Sequence, residues 1–188
     1  MKTLSLSIPE VKLITPKKFG DERGFFSETY NCSSLSEYGI DINFVQDNHS
    51  MSHSKGVLRG LHYQKPPFAQ DKLVRVVRGK IWDVAIDLRP DSVHYKKWVA
   101  AEVSADNWSQ ILVPKGFAHG FVTLEEDTEV IYKVSDYYNP ESEVSIMWND
   151  EALNIDWPVD AADVVLSRKD AAGLSFSNLE DELKTYSW

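Results

Sequence analysis

Short strand-like runs cut apart by turn residues dominate this chain, and that texture restricts it to a β architecture. The clearest run is Ile81–Leu88, where Trp82, Val84, Ile86 and Leu88 share one parity and Asp83 and Asp87 take the other. Side chains alternate faces along a strand, so this pattern predicts a strand with one buried face. Comparable runs fall at Val11–Ile14, Phe25–Thr29, Asn43–Met51, Val57–Tyr63 and Lys72–Arg78, and again at Trp98–Val103, Ser109–Val113, Ala118–Leu124 and Thr128–Val134. Turn formers separate them, as in Arg78-Gly79-Lys80, Arg89-Pro90-Asp91 and Pro114-Lys115-Gly116. About ten short strands at this spacing predict a sandwich or barrel. Helix is expected only at Ser33–Tyr38, capped by Ser33 or Ser34, and at Ser177–Tyr186, where Leu179 and Leu183 stand four apart. Asn139–Asp163 reads as an irregular cover packed on the β core. Neither linker nor repeat divides the 188 residues, so residues 1–188 are expected to form a single domain.

Composition removes several function classes. The apolar share of 43%, with 8 Phe, 8 Tyr and 6 Trp, excludes disorder as the main state. A net charge of −9 disfavours general nucleic-acid binding, because an acidic surface repels the phosphate backbone. A basic pocket on an acidic body can still hold a small phosphorylated ligand. The single cysteine, Cys32, permits no intrachain disulfide and no thiolate zinc site. No signal-like apolar run opens the chain and no stretch nears the ~18 apolar residues of a membrane span, so a cytoplasmic protein without membrane contact is expected.

Chemistry concentrates in Asn43–Gln70, which holds His49, His53 and His62 together with Gln46, Asn48, Arg59 and Gln64. A strand built only for core packing would not carry so many polar groups, since each buried one needs a partner. His49 and His53, near a serine-rich turn, are read as solvent-facing; His62 sits in an apolar-flanked run and is the one expected inside. A second element, Ile111–Phe121, has Pro114 and Gly116 turning the chain so that His119 enters the next strand. Such a Pro-x-Gly-x-x-His pattern recurs in cupin-type jelly rolls, where the histidine lines the barrel mouth; a turn-proximal core histidine is the other reading. Cupins that bind a metal place a second histidine where this chain has Gln64, and Lys72, Arg75 and Arg78 follow it. A neutral amide beside several cations argues for a metal-free site. In Glu129–Tyr138, Tyr132 shares parity with Val130 and Val134 and is expected on the inner face, where its hydroxyl can be structural or can donate a proton.

Together these segments resemble the dTDP-4-dehydrorhamnose 3,5-epimerase family. The resemblance runs from Phe19-Gly20-Asp21-Glu22-Arg23-Gly24-Phe25-Phe26-Ser27-Glu28 to Leu166-Ser167-Arg168-Lys169-Asp170. Between them lie Phe44-Val45-Gln46-Asp47-Asn48, Val57-Leu58-Arg59-Gly60-Leu61-His62-Tyr63-Gln64, Val113-Pro114-Lys115-Gly116-Phe117-Ala118-His119-Gly120-Phe121 and Tyr132 to Tyr138. It implies an all-β, cupin-type double-stranded β-helix (jelly roll) with a few short peripheral helices. It also implies a cofactor-free enzyme and a homodimer that exchanges N-terminal strands.

In such a reaction the 4-keto group of the sugar acidifies the protons on C3 and C5, and epimerisation removes one and returns it to the other face. That requires a base, an acid opposite it, and a positive group at the enolate oxygen. Imidazole, the side chain that titrates near neutrality, suits the base. His62 is the candidate, and the resemblance implies Asp170 as its dyad partner, Tyr132 as the acid and Lys72 as the enolate stabiliser. It likewise implies Arg23, Arg59 and Lys169 at the diphosphate of a dTDP-sugar substrate, with Arg168 as the rival to Lys169. Glu28, Gln46, Asp47 and Asn48 would orient sugar and base, Phe26 and Tyr138 would offer flat faces with Tyr138 on thymine, and His119 and Glu143 match binding positions. Arg59 and His62 have opposite parity, so one shared pocket requires a break in alternation, expected as a bulge at Gly60. Rival readings are an epimerase of C3 or C5 alone, a non-catalytic sugar-nucleotide-binding module, and a metal-dependent cupin oxygenase.

Overall fold

Turn residues divide the chain into thirteen strands in the computed structural model, which describes residues 1–188. Two hairpins come first, β1 (Lys2–Ser5) with β2 (Lys12–Thr15), and β3 (Phe19–Asp21) with β4 (Gly24–Phe26). Helix α1 (Cys32–Ser36) leads into β5 (Gln46–Ser52), β6 (Leu58–Gln64), β7 (Lys72–Arg78) and β8 (Lys80–Asp87). Then follow β9 (Trp98–Ser104), β10 (Gln110–Val113), β11 (Phe117–Thr123), β12 (Thr128–Val134) and β13 (Glu143–Ser145). The C-terminal stretch carries only α2 (Arg168–Ala171) and α3 (Glu180–Leu183) besides short 3₁₀ turns.

Apart from the β3–β4 hairpin, the strands are dealt out between two antiparallel sheets. One has the order β1-β2-β10-β7-β12-β5 and the other β13-β6-β11-β8-β9. Val74, Val76, Ile111 and Val130 of the first sheet meet Ile81, Ala85 and Phe121 of the second in one core. This is the expected jelly roll. Burying each such valine, isoleucine or phenylalanine contributes about 1.5–3 kcal/mol.

The structure corrects five local expectations. Strand β8 has two buried faces: Val84, Ile86 and Leu88 pack outward under Phe176, Leu179 and Leu183, while Asp83 and Asp87 are wholly buried on the inner side. The C-terminal segment supplies that outer cover, and strand alternation alone carries no sign of it. Helix α1 is capped by Asn31, whose side-chain oxygen accepts the Ser34 N–H at 3.2 Å, and neither Ser33 nor Ser34 caps it. The expected Phe25–Thr29 strand stops at Phe26, and Ser177–Tyr186 breaks into a 3₁₀ turn (Phe176–Asn178) and α3. Finally, β13 gives Asn139–Asp163 a strand that extends the second sheet.

Candidate active site

Both sheets contribute to a cavity of about 360 Å³, within the usual range for small-molecule sites. The first sheet supplies Ser50 from β5, Lys72 from β7 and Tyr132 from β12, while the second supplies Arg59 and His62 from β6 and His119 from β11. A recess of about 250 Å³ adjoins it and adds Gln46 and Asn48. Alternation on β5 explains this choice: Gln46, Asn48 and Ser50 turn inward, whereas Asp47 and His49 turn out to Lys133 and Glu129. Asp47, expected beside Gln46 and Asn48, thus has its carboxylate on the other side of the sheet, where it accepts from Lys133.

Arg59 and His62 reach the same cavity because β6 bulges. His62 pairs with His119 and Arg59 with Phe121, so three steps along β6 oppose two along β11. Gly60 takes φ +117°, and a Cβ there would lie 2.6 Å from the Gly120 Cα and 2.7 Å from the His119 carbonyl oxygen. Both are backbone atoms that cannot step aside. Gly60→Ala is expected to destabilise the fold by about 3 kcal/mol, combining backbone strain with overpacking, and to lower Tm by roughly 10 °C. Thermal unfolding tests this; an unchanged Tm would mean β6 tolerates a regular path.

The His62 Nε2 lies 2.6 Å from Asp170 Oδ1. Asp170 is buried in α2, whose N-cap Ser167 donates its hydroxyl to Oδ2 at 2.7 Å and accepts the Asp170 N–H at 3.1 Å. Burial alone would raise the Asp170 carboxyl, but hydrogen bonds from His62 and Ser167, the His62 charge and the Gly60 N–H together hold it below the ordinary range. An ionised carboxylate only accepts, so Nε2 carries the hydrogen and Nδ1 keeps the lone pair of the neutral ring. Ser167 was not singled out in the sequence, although Ser-x-x-Asp ahead of a short helix is a capping signal.

On the facing sheet, burial pushes the Tyr132 phenol up and the Glu143 charge adds to this, while Arg59 opposes it. The hydroxyl thus keeps its proton. Burial brings Lys72 down to about 8, with Glu143 and Asp83 partly offsetting it and Lys169 reinforcing it. Lys72 Nζ also donates to the His62 carbonyl at 3.4 Å. His119 forms a second imidazole–carboxylate pair, with Nε2 at 2.8 and 2.9 Å from the two oxygens of Asp83. Asp83 was missed because its position read as the polar face of β8.

Glu143 gathers the mouth of the cavity, accepting from the Tyr138 hydroxyl at 2.7 Å and pairing with Lys169 Nζ. Burial would raise Glu143; hydrogen bonds from Lys169 and Tyr138 and the nearby positive charges outweigh it and lower it. Lys169 lines the cavity and its exposed neighbour Arg168 does not. The Ser50 hydroxyl, also unforeseen, is buried without a partner.

Three more expected binding residues stand apart from this chain's own cavity. Arg23 is 83% exposed and pairs with Asp21 in the β3–β4 hairpin. Phe26 is 70% exposed on the same hairpin, and Glu28 accepts a long hydrogen bond from Ser34. No group of three His, Cys, Asp or Glu side chains is placed to hold a metal ion.

Residues 5–178 match a family described as dTDP-4-dehydrorhamnose 3,5-epimerase. The chain is 51% identical over 173 residues to the Salmonella typhimurium protein of that name, covering 92% of this chain and 93% of that one. To the Pseudomonas aeruginosa protein of the same name it is 50% identical over 181 residues, 96% and 98% of the two chains. The crystal structure of a dTDP-6-deoxy-D-glucose-3,5-epimerase from Legionella pneumophila, in complex with dTDP-4-keto-L-rhamnose, is similar with a TM-score of 0.93 and 46% identity, over 100% of this chain and 98% of that one.

Proposed function

The chain belongs to the dTDP-4-dehydrorhamnose 3,5-epimerase family, and from that premise we propose how its cavity performs the reaction. The enzyme is an isomerase that inverts C3 and C5 of dTDP-4-dehydro-6-deoxy-D-glucose, yielding dTDP-4-dehydro-β-L-rhamnose for dTDP-L-rhamnose synthesis. The observation that carries the mechanism is the position of His62 and Tyr132 on facing sheets of one cavity.

His62 Nδ1 takes the proton from the carbon next to the ketone. The C–H electrons form the C=C bond of an enolate, and the carbonyl electrons move to oxygen. Asp170 holds the imidazolium through Nε2–H, and the Lys72 ammonium stabilises the enolate oxygen. Tyr132 then donates its phenolic proton to the same carbon from the other side, and solvent restores both side chains. A lone acid–base group would return the proton to the face it left, so inversion needs two groups on two walls. The second carbon repeats the cycle.

Arg59 and Lys169 would hold the diphosphate, where a guanidinium fork suits paired phosphate oxygens, and His119 would be a further substrate-binding position. Gln46, Asn48 and Glu143 would orient sugar and base, and the Tyr138 ring would stack on thymine. The β3–β4 hairpin exposes Phe19, Phe25 and Phe26 beside Arg23. That supports a homodimer in which Arg23, Phe26 and Glu28 complete the partner's cavity through exchanged N-terminal strands. No helix is long and apolar enough to cross a membrane; work in the cytoplasm is part of the same reading.

Turnover in deuterated water tests the assignment. Both the C3 and C5 hydrogens of the substrate should exchange, with the doubly inverted product accumulating. Exchange at one carbon alone would make the enzyme a single epimerase, and binding without exchange would leave only a sugar-nucleotide-binding module.

A further inference from the structure

Three glutamines of the polar Asn43–Gln70 cluster converge on one stretch of irregular backbone, Asp136 to Asn139. Gln70 Nε2 donates to the Asp136 carbonyl at 2.8 Å, and Gln46 Oε1 accepts the Tyr138 N–H at 3.1 Å. Gln64 lies between them at 5% exposure. Its amide nitrogen donates to the Tyr137 carbonyl at 3.2 Å and to the Phe68 carbonyl at 2.7 Å, and its oxygen accepts the Asn139 N–H at 2.8 Å. These partners fix which end of the amide is nitrogen, since two are acceptors and one is a donor. Backbone groups on both sides of Tyr138 are thus held by one buried side chain, in a segment without strand or helix pairing of its own.

We propose that Gln64 is a positioning residue that sets the Tyr138 ring in place as the platform for the nucleobase before substrate arrives. The inference rests on the reading of Tyr138 as the stacking residue and adds how that residue is held. A loop ordered only on binding charges its lost conformational freedom against affinity. Gln64 removes that cost in advance, and its side-chain hydrogen bonds go to backbone groups of Phe68, Tyr137 and Asn139, not to the diphosphate groups or the acid–base pair. Its effect therefore belongs in binding and not in proton transfer.

Gln64→Met keeps the length of the side chain and withdraws all three hydrogen bonds. It is expected to weaken dTDP binding and raise KM by about tenfold, the scale of ordering one loop residue, with kcat within about twofold. In a Tyr138→Ala background the same change should alter dTDP affinity by less than about twofold, because the platform is already gone. Gln64→Asn, whose amide is too short to reach its partners, carries the same expectations should Gln64→Met not fold. Unchanged affinity in Gln64→Met beside a damaging Tyr138→Ala would overturn the clamp alone. So would an undiminished Gln64 effect in the Tyr138→Ala background, or a fall in kcat with KM intact. A neutral Tyr138→Ala would overturn the stacking role and the clamp with it.

Discussion

His62→Ala is expected to lower kcat/KM by ~10³-fold or more, while dTDP still binds within about threefold of the parent. A positioned general base contributes ~10²–10⁴-fold, and here both inversions depend on the same base. The loss falls on the transition state, since Arg59, Lys169 and Tyr138 remain to hold the nucleotide. Deuterium exchange at C3 and C5 should disappear together. His119 is the natural control, as a second imidazole in the same cavity whose Nε2 is bound by Asp83. Near-normal exchange in His62→Ala, or loss of exchange in His119→Ala with nucleotide binding intact, would move the base elsewhere.

Lys72→Met should cost ~10²–10³-fold in kcat/KM, the scale of removing a group aimed at a developing oxyanion. Methionine keeps most of the stem and loses only the charge, so the cavity wall is preserved. The pH profile provides an independent reading. Burial brings the Lys72 ammonium down to about 8, so the cation prevails below that pH and is lost above it. The parent kcat/KM is accordingly expected to fall as pH rises through about 8, and Lys72→Met should lack that limb. Persistence of an alkaline limb near 8 in Lys72→Met would assign it to another group. A parent rate that climbs through that range would deny the ammonium its role.

The polar face of Asn43–Gln70 illustrates how much was legible before the fold. Gln46, Asn48, Arg59 and His62 stood out as more polar than a core strand allows, and all four reach one cavity or its recess. The bulge at Gly60 was also legible, because Arg59 and His62 cannot share a pocket on a regular strand. Gln64 was noticed as one of those polar groups and as the amide standing where a metal ligand might be. Its hold on Tyr137 and Asn139 spans more than 70 positions of sequence and leaves no local trace.

Local periodicity and motif chemistry determined the β class, most strand positions and the bulge. Each of those depends on neighbours within one strand or one turn. Which side of a strand becomes interior depends on what distant segment covers it, and that was decided by tertiary structure alone. The C-terminal residues roof β8, so its aspartates turn inward and Asp83 comes to hold His119. One step of alternation puts Asn48 in the recess and Asp47 against Lys133, and the packed sandwich, not the pattern, chooses between them.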